Sequence, residues 1–181
     1  MKQLLSTIND FEDSKTLELF NEFKSLRKTG VLTKKELIKI LRWKSPRPLR
    51  FYESNTDSSI REITKLAFAT KNDNLKVHIL TALNGVNYPA ASAILMFYDK
   101  SKYPVLDIRV WKQLHNFKLV DSNERGQNFT LQQWETYLKV IRALAKELNL
   151  TARQTEKRIF DHDRKTQTAP IYGKIKSKIK Y

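Results

Sequence analysis

The sequence predicts an all-α protein, and three observations support that fold class. Apolar residues recur at three- to four-residue spacing in most segments, which is the period of one helix face. A threonine is followed three positions later by glutamate or glutamine at Thr33, Thr130 and Thr151, a pattern typical of helix N-termini. The chain contains only four glycines and no convincing pair of β-strands.

The N-terminal half predicts four helices. The first covers 14–28 and ends near Gly30, and the second begins at Thr33 and continues to Trp43. Two prolines then interrupt the run R-W-K-S-P-R-P-L-R-F-Y, which covers 42–52. A third helix is expected from Ser58 or Ser59 to Thr70, and a fourth is expected to be capped by Asp73 or Asn74.

The C-terminal half predicts four more helices and a tail. One begins at Pro89 after a turn centred on Gly85, and the next is entered at Asp107. A polar loop over 116–128 precedes a long helix that begins at Thr130, and a last helix follows Thr151. In the final stretch, 166–181, isoleucine alternates with lysine; we expect a partly disordered basic tail, with an edge strand as the alternative.

The composition favours a polyanionic partner. Lys and Arg number 34 against 19 Asp and Glu, a formal net charge of +15, which favours nucleic acid first and an acidic membrane surface second. The absence of cysteine excludes thiolate zinc sites, disulfides and Cys-ligated iron–sulfur clusters. No apolar run approaches the roughly 20 residues that cross a bilayer, so we expect a soluble intracellular protein, cytoplasmic or associated with the nucleoid.

The stretch 80–114 contains the most informative pattern. Its turn, L-N-G-V-N-Y-P-A-A, places Gly85 where a positive φ is allowed, Asn87 where a short amide can bond the local backbone, and Pro89 in the first turn of a helix. Backbone N–H groups beside a helix N-terminus bind anions, and the carboxylate of Asp107 follows 18 positions after Pro89. We therefore expect a phosphate-binding turn next to a reactive acid.

These residues resemble the helix-hairpin-helix plus Gly/Pro/Asp signature of the base-excision DNA glycosylase superfamily. The family hairpin reads L-x-G-V-G-x-x-T-A, and the Y-P-V-L-D-I-R-V run supplies proline, valine and aspartate in the family's order. The spacing from Pro89 to Asp107 also matches. The resemblance covers about 35 of the 181 residues.

The resemblance implies a two-lobed helical domain over 1–165, with the hairpin at 75–98, the aspartate loop and its helix at 99–117, and the tail at 166–181. It implies a monomer that removes damaged bases from double-stranded DNA, with Asp107 as the catalytic residue. No small-molecule cofactor or iron–sulfur cluster is expected. Hairpin carbonyls can bind a monovalent cation in this family.

Two positions depart from the family pattern. The second hairpin glycine is Asn87 here, which leaves the phosphate geometry open. Bifunctional members have a Schiff-base lysine where this chain has Pro89, whose ring nitrogen cannot act as an amine nucleophile. The chain therefore resembles the monofunctional branch, in which a carboxylate stabilises the developing sugar cation and orients or deprotonates water.

Candidate DNA contacts come from the hairpin and from the 42–52 run, because cations meet phosphates and aromatic rings stack on bases. The candidates for the backbone are Gly85, Val86, Asn87, Arg42, Lys44, Arg47, Arg50 and Arg109. Those for a base pocket or wedge are Trp43, Tyr52 and Tyr88. The alternative for the run is a loop whose aromatics pack into the core.

Other conspicuous residues have structural interpretations. Asp107 is also suited to be the N-cap of the following helix, a role compatible with catalysis. Trp111 and Trp134 are expected in the core. Asp161, His162 and Asp163 are adjacent helical positions that splay around the axis, so no metal site is predicted there.

Three functions remain open at this point. The first is a monofunctional DNA glycosylase, and the second is a non-catalytic DNA- or RNA-binding module with the same hairpin. The third is a strand-cleaving lyase that uses a lysine away from the hairpin.

Overall fold

The structure is a computed structural model that describes residues 1–8 and 12–167, and every regular element in those ranges is a helix. The all-α prediction is therefore confirmed for the described chain. The structure describes only positions 166 and 167 of the predicted tail over 166–181. The rest of that tail lies outside the described residues. The helices are α1 (Lys2–Ser6), α2 (Ser14–Glu22), α3 (Leu26–Thr29), α4 (Lys34–Lys44), α5 (Leu49–Glu53), α6 (Asp57–Ala69), α7 (Asp73–Leu80), α8 (Tyr88–Tyr98), α9 (Ile108–Asn116), α10 (Leu131–Leu148) and α11 (Ala152–Thr166).

The three predicted capping boxes are all present. Thr33, Thr130 and Thr151 each accept a hydrogen bond from the backbone N–H three positions later, and the Glu or Gln there accepts from the cap backbone. Each box satisfies two N–H groups that a helix start would otherwise leave unpaired. Local sequence alone therefore determines the start of α4, α10 and α11.

Several boundaries differ from the prediction. The helix expected over 14–28 is split into α2 and α3, because the chain turns at Phe23 and buries both Phe23 and Leu26. Helix α6 begins at Asp57 after the N-cap Thr56, slightly before the expected Ser58 or Ser59, and the N-cap of α7 is Asn72 rather than Asp73 or Asn74. After the proline-interrupted bend that follows α4, the short helix α5 forms.

Helix α8 lies in the middle of the core. All residues from Ala90 to Phe97 are buried, and α8 packs against α3, α4 and α7. On the other side of the molecule α11 packs against α9 and α10, and α1 packs against both α10 and α11. The buried apolar side chains form one cluster, which includes Trp111 and Trp134 as predicted.

Backbone hydrogen bonds connect the start of α11 to the loop after α8. The N–H groups of Ala152 and Arg153 donate to the carbonyls of Ser101 and Lys100 at 3.1 Å each. The C-terminal helix is thus held beside the loop that leads to Asp107. None of the described helices has both the length and the apolar character that a membrane crossing requires.

Candidate active site

The turn between α7 and α8 is built around Gly85. Its φ is +80°, and a Cβ at this position would lie 2.8 Å from the Cβ of Phe51 and 3.0 Å from the ring of Tyr52. Both the left-handed backbone and the close approach of α5 require glycine. The positive φ expected from the sequence is confirmed, and the close approach to Gly85 is made by side chains of α5.

Asn55, just after α5, holds this turn. Its side-chain amide donates to the carbonyl of Asn84 at 3.1 Å, and its Oδ1 accepts from the N–H of Asn84 at 2.8 Å. The same amide also donates to the carbonyls of Phe51 and Tyr52. No sequence pattern indicates this role, because the two asparagines are 29 positions apart.

The other predicted hairpin contacts occupy different surroundings. Val86 is buried, and its N–H donates to the carbonyl of Leu83 at 3.0 Å, so this donor is used within the turn. Asn87 is exposed and caps α8, because its Oδ1 accepts from the N–H of Ala90 at 3.1 Å. Gly85 and Asn87 are exposed residues of the turn. Phosphate binding at the turn, including Val86, stays a prediction.

Asp107 is the N-cap of α9 and also the acceptor of an ion pair. Its Oδ1 accepts from the N–H of Arg109 at 3.0 Å, and its Oδ2 lies 2.7 Å from Nζ of Lys44, the last residue of α4. Burial opposes ionisation of this carboxyl, but the nearby Lys44 ammonium and the two hydrogen bonds outweigh it and hold its pKa below the ordinary value. Asp107 is therefore a carboxylate at neutral pH.

Residues from three helices position the loop before Asp107. Ser92 Oγ on α8 accepts from the N–H of Leu106 at 2.8 Å, and the Tyr137 hydroxyl on α10 donates to the carbonyl of Val105 at 2.7 Å. Glu156 on α11 accepts from the N–H of Val105 at 3.4 Å. Each contact joins residues distant in sequence, so none of the three was predicted.

Two cavities meet at Asp107. The first, here called the aspartate cavity, has a volume of about 750 Å³ and lies between α4, α11 and the chain before α2. The second, here called the turn cavity, has a volume of about 630 Å³ and extends from Asp107 to Gly85 and Asn87. Lys44, Asp107 and Phe160 line both. Volumes of this size are typical of small-molecule sites.

A buried charge network forms one wall of the aspartate cavity. Arg153 on α11 donates to Glu12 at 2.6 Å and to Glu156 at 2.5 Å. Burial raises the pKa of the Glu156 carboxyl, and the adjacent Arg153 guanidinium opposes that rise. The network ties α11 to the chain before α2, and no pattern in the sequence indicates it.

Only one of the three predicted aromatic residues lines the aspartate cavity. Trp43 does so, with its Nε1 donating to Thr16 Oγ1 at 2.9 Å and the Arg153 guanidinium 5.6 Å from the ring centroid. Tyr52 is 1% exposed beneath Gly85, so its expected role as a stacking surface is wrong. Tyr88 is half-buried and bonds His78 Nδ1 at 2.9 Å on the α7 side of the turn.

The predicted basic residues do not converge on one point. Lys44, Arg47 and Arg109 line the turn cavity, and Arg109 also donates to Asp163 Oδ2 at 2.7 Å. Arg50 is exposed with its guanidinium 4.7 Å from the centroid of the Phe51 ring. Arg42 is exposed and lines a separate cleft between α2 and α4.

The acidic pair near the end of α11 has structural partners. Asp161 pairs with Lys157, and the buried Asp163 accepts from Arg109 and from Gln113 Nε2 at 2.8 Å. Within residues 1–8 and 12–167, no cluster of three or more His, Cys, Asp or Glu side chains is arranged to hold a metal ion. Asp163 instead fixes α9 against α11.

Comparison with protein-family models, with curated protein sequences and with solved structures gave no significant match for this chain.

Proposed function

We propose that this protein is a DNA glycosylase of helix-hairpin-helix type that hydrolyses the N-glycosidic bond of a damaged base. The observation that carries the proposal is the position of Asp107, an ionised carboxylate where two cavities meet, one of them reaching the Gly85 turn. The sequence resemblance over 80–114 supports it. The two-lobed arrangement and the monomeric state are parts of the same proposal.

The turn cavity suits the DNA backbone. Arg47 and Arg109 provide positive charge at the lining of this cavity, and the exposed turn residues Gly85 and Asn87 also line it. Phosphate contacts of this kind position a duplex without reading its sequence. The overall charge of +15 adds non-specific attraction to DNA. A monovalent cation bound by turn carbonyls stays a prediction.

The aspartate cavity suits a base that has left the helix. An enzyme acting on a base must take the nucleotide out of the stack and hold the base in a pocket. Trp43 and Phe160 provide aromatic walls, and Asp107 lies at the opening that this cavity shares with the turn cavity. A sugar bound at that junction has the carboxylate beside its anomeric carbon.

In this arrangement Asp107 stabilises the positive charge that grows on the sugar as the bond breaks. It also orients or deprotonates the attacking water, and general-base assistance typically contributes about 10²–10⁴-fold. Pro89 removes the amine that a hairpin lysine would offer, so water is the nucleophile for base release. The α8, α10 and α11 contacts to the preceding loop keep the carboxylate in place.

A second candidate is a nucleic-acid-binding module without catalysis. It is favoured by the engagement of both carboxylate oxygens of Asp107, one by Arg109 N–H and the other by Lys44. In that case Asp107 would serve only as an N-cap and ion-pair partner. Both candidates predict salt-sensitive binding to DNA, so binding alone does not separate them.

The test is a single-turnover assay on a panel of lesion-bearing duplexes, with alkali to split abasic products. Asp107→Asn should abolish base release without loss of the fold, since asparagine caps helices about as well as aspartate. Asp57→Asn is the matched control, because Asp57 is also paired with a basic side chain, Arg61, but is exposed at the start of α6. No release by the wild type on a broad panel, with DNA binding intact, would favour the binding module.

A further inference from the structure

We infer that the cleft between α2 and α4 binds an acidic amphipathic segment of a partner protein. Among the described residues, this cleft shares only Trp43 with the aspartate cavity and no lining residue with the turn cavity. Binding of such a partner goes beyond the proposed function and does not depend on base release. It also gives a role to Arg42, a predicted DNA contact that lines this cleft.

Two polar contacts hold α2 beside α4. Trp43 Nε1 donates to Thr16 Oγ1 at 2.9 Å near the start of α2, and Lys39 pairs with Glu22 at 2.6 Å at the end of α2. The two helices therefore run antiparallel, because the later α2 residue meets the earlier α4 residue. The cleft between them has a volume of about 410 Å³. An amphipathic helix binds other proteins by laying its apolar face into a hydrophobic groove.

The floor of the cleft is apolar and partly open to solvent. Leu19 from α2 is buried, whereas Ile38 and Trp43 from α4 are only half-buried and line the cleft. Covering this surface with apolar side chains of a partner removes it from water, which is favourable. The floor therefore calls for a ligand with an apolar face.

The rim of the cleft is positively charged. Of the described residues that line the cleft, four are basic and none is acidic. Lys39 is paired with Glu22, but Lys15, Lys35 and Arg42 are exposed and form no hydrogen bond or ion pair with another described side chain. Charge complementarity thus selects a ligand whose apolar face is bordered by carboxylates.

The aliphatic floor favours a peptide over a nucleic acid. Bases bind by stacking on flat rings, and Leu19 and Ile38 offer none. The ring of Trp43 already has the Arg153 guanidinium 5.6 Å from its centroid. A second copy of this chain is a poor occupant, because two molecules with a formal charge of +15 repel each other.

Trp43 provides a reporter for the cleft. The chain contains three tryptophans, and Trp111 and Trp134 are both 0% exposed. A ligand in the cleft therefore changes the surroundings of Trp43 and leaves the other two indoles buried. Because Trp43 also lines the aspartate cavity, the partner contacts a side chain that forms one wall of that cavity.

The probes are short synthetic peptides that contain no tyrosine or tryptophan. Leucine or phenylalanine occupies positions i, i+3, i+4 and i+7, the anchors of one helix face, and glutamate occupies the positions beside them. Anisotropy of the dye-labelled peptide measures its affinity for the full-length chain, and tryptophan fluorescence locates the binding. We expect saturable binding with a fluorescence change that Trp43→Phe removes. A scrambled peptide of the same composition should bind about tenfold more weakly, since it has no continuous apolar face.

Variants of the cleft separate its charge from its apolar floor. Lys35→Glu combined with Arg42→Glu should weaken peptide binding about tenfold, because two attractions become repulsions. Lys65→Glu combined with Lys71→Glu is the matched control. It reverses the same charge at exposed lysines outside the cleft and should stay within about twofold of the wild type at physiological salt. Ile38→Ala should weaken binding about fivefold through lost apolar contact.

Circular dichroism establishes that each variant is folded. No binding of any peptide to the folded wild type would overturn the proposal. Equal affinity for the scrambled peptide, or equal losses in the two double variants, would also overturn it, because net charge alone then explains the binding. If a single-stranded oligonucleotide displaces the peptide, and its affinity depends on Lys35 and Arg42 but not on Ile38, the cleft is a nucleic-acid surface instead. None of these measurements scores base release, so failure of the proposed function leaves their outcome unchanged.

Discussion

Asn55 and Asn84 exchange two hydrogen bonds: the Asn84 N–H donates to Asn55 Oδ1 at 2.8 Å, and the Asn55 amide donates to the Asn84 carbonyl at 3.1 Å. The Asn55 side chain, which lies between α5 and α6, thereby takes the place of a backbone partner for the N–H and the carbonyl of Asn84. The shape of the turn that lines one cavity thus depends on a residue outside the 80–114 stretch.

We predict that Asn55→Ala destabilises the protein by about 1–3 kcal/mol, because it removes hydrogen bonds from the buried Tyr52 carbonyl and from the part-buried backbone of Asn84. Urea unfolding measures the change. Ser58→Ala is the control, since this serine is exposed in the first turn of α6 and its change should fall within about 0.5 kcal/mol. Equal stability of the two variants would show that water replaces the Asn55 contacts.

Gly85→Ala and Gly30→Ala separate backbone strain from crowding. Both glycines have positive φ, +80° and +65°, but a Cβ at Gly30 meets no atom within 4 Å, whereas at Gly85 it meets Phe51 and Tyr52. We expect about 1 kcal/mol of destabilisation for Gly30→Ala from strain. Gly85→Ala should be destabilised by about 1–3 kcal/mol more through overpacking, and urea unfolding compares the two. A similar destabilisation in both variants would mean that α5 moves aside freely.

The lowered pKa of Asp107 predicts an acid-dependent part of the stability. The folded-state pKa lies below the unfolded one, so the contribution is fully present above about pH 4 and is lost as the pH falls through the folded value. The wild type should therefore be more stable than Asp107→Asn at pH 7, and the difference should shrink at lower pH. Urea unfolding of both proteins at several pH values measures it. If the difference in unfolding free energy between the wild type and Asp107→Asn does not change with pH, the ion pair is not its cause.

The arginines near the turn predict the salt dependence of DNA binding. Each phosphate that a variant no longer neutralises should make the slope of log K against log salt shallower by about 0.9. We expect a shallower slope for the double variant Arg47→Ala, Arg50→Ala than for the wild type. Fluorescence anisotropy with an undamaged duplex at several salt concentrations measures the slope. Arg61→Ala with Lys139→Ala is the control, because it removes the same charge from exposed side chains on α6 and α10. Equal slopes for the two double variants would place the DNA elsewhere.

The sequence predicted the features that depend on residues close together in the chain, such as helix starts and N-caps. Capping boxes indicated the starts of α4, α10 and α11, and the positive φ of Gly85 and the N-cap role of Asp107 followed from residue type. It did not predict the partners of those residues. Lys44 is 63 positions from Asp107, and Glu156 is 51 from Val105, separations over which no local pattern operates.

In the run over 42–52 burial decided between two open interpretations, and for Tyr52 the structure has the alternative in which the aromatic residue packs into the core. Tyr52 lies in an apparently polar run, yet α5 turns its ring beneath Gly85. Whether an aromatic residue near two prolines faces solvent depends on which element packs over it. That information is in the tertiary arrangement and not in the run itself.

The ion pair of Arg153 with Glu12 joins positions that are 141 residues apart, because Glu12 precedes α2 and Arg153 lies in the first turn of α11. On the ribosome the N-terminal part of a chain emerges first, at about 5–20 residues per second. The turn at Gly85 can therefore form before the far wall of the aspartate cavity has been synthesised. The loop before Asp107 gains its Glu156 contact only once α11 is present.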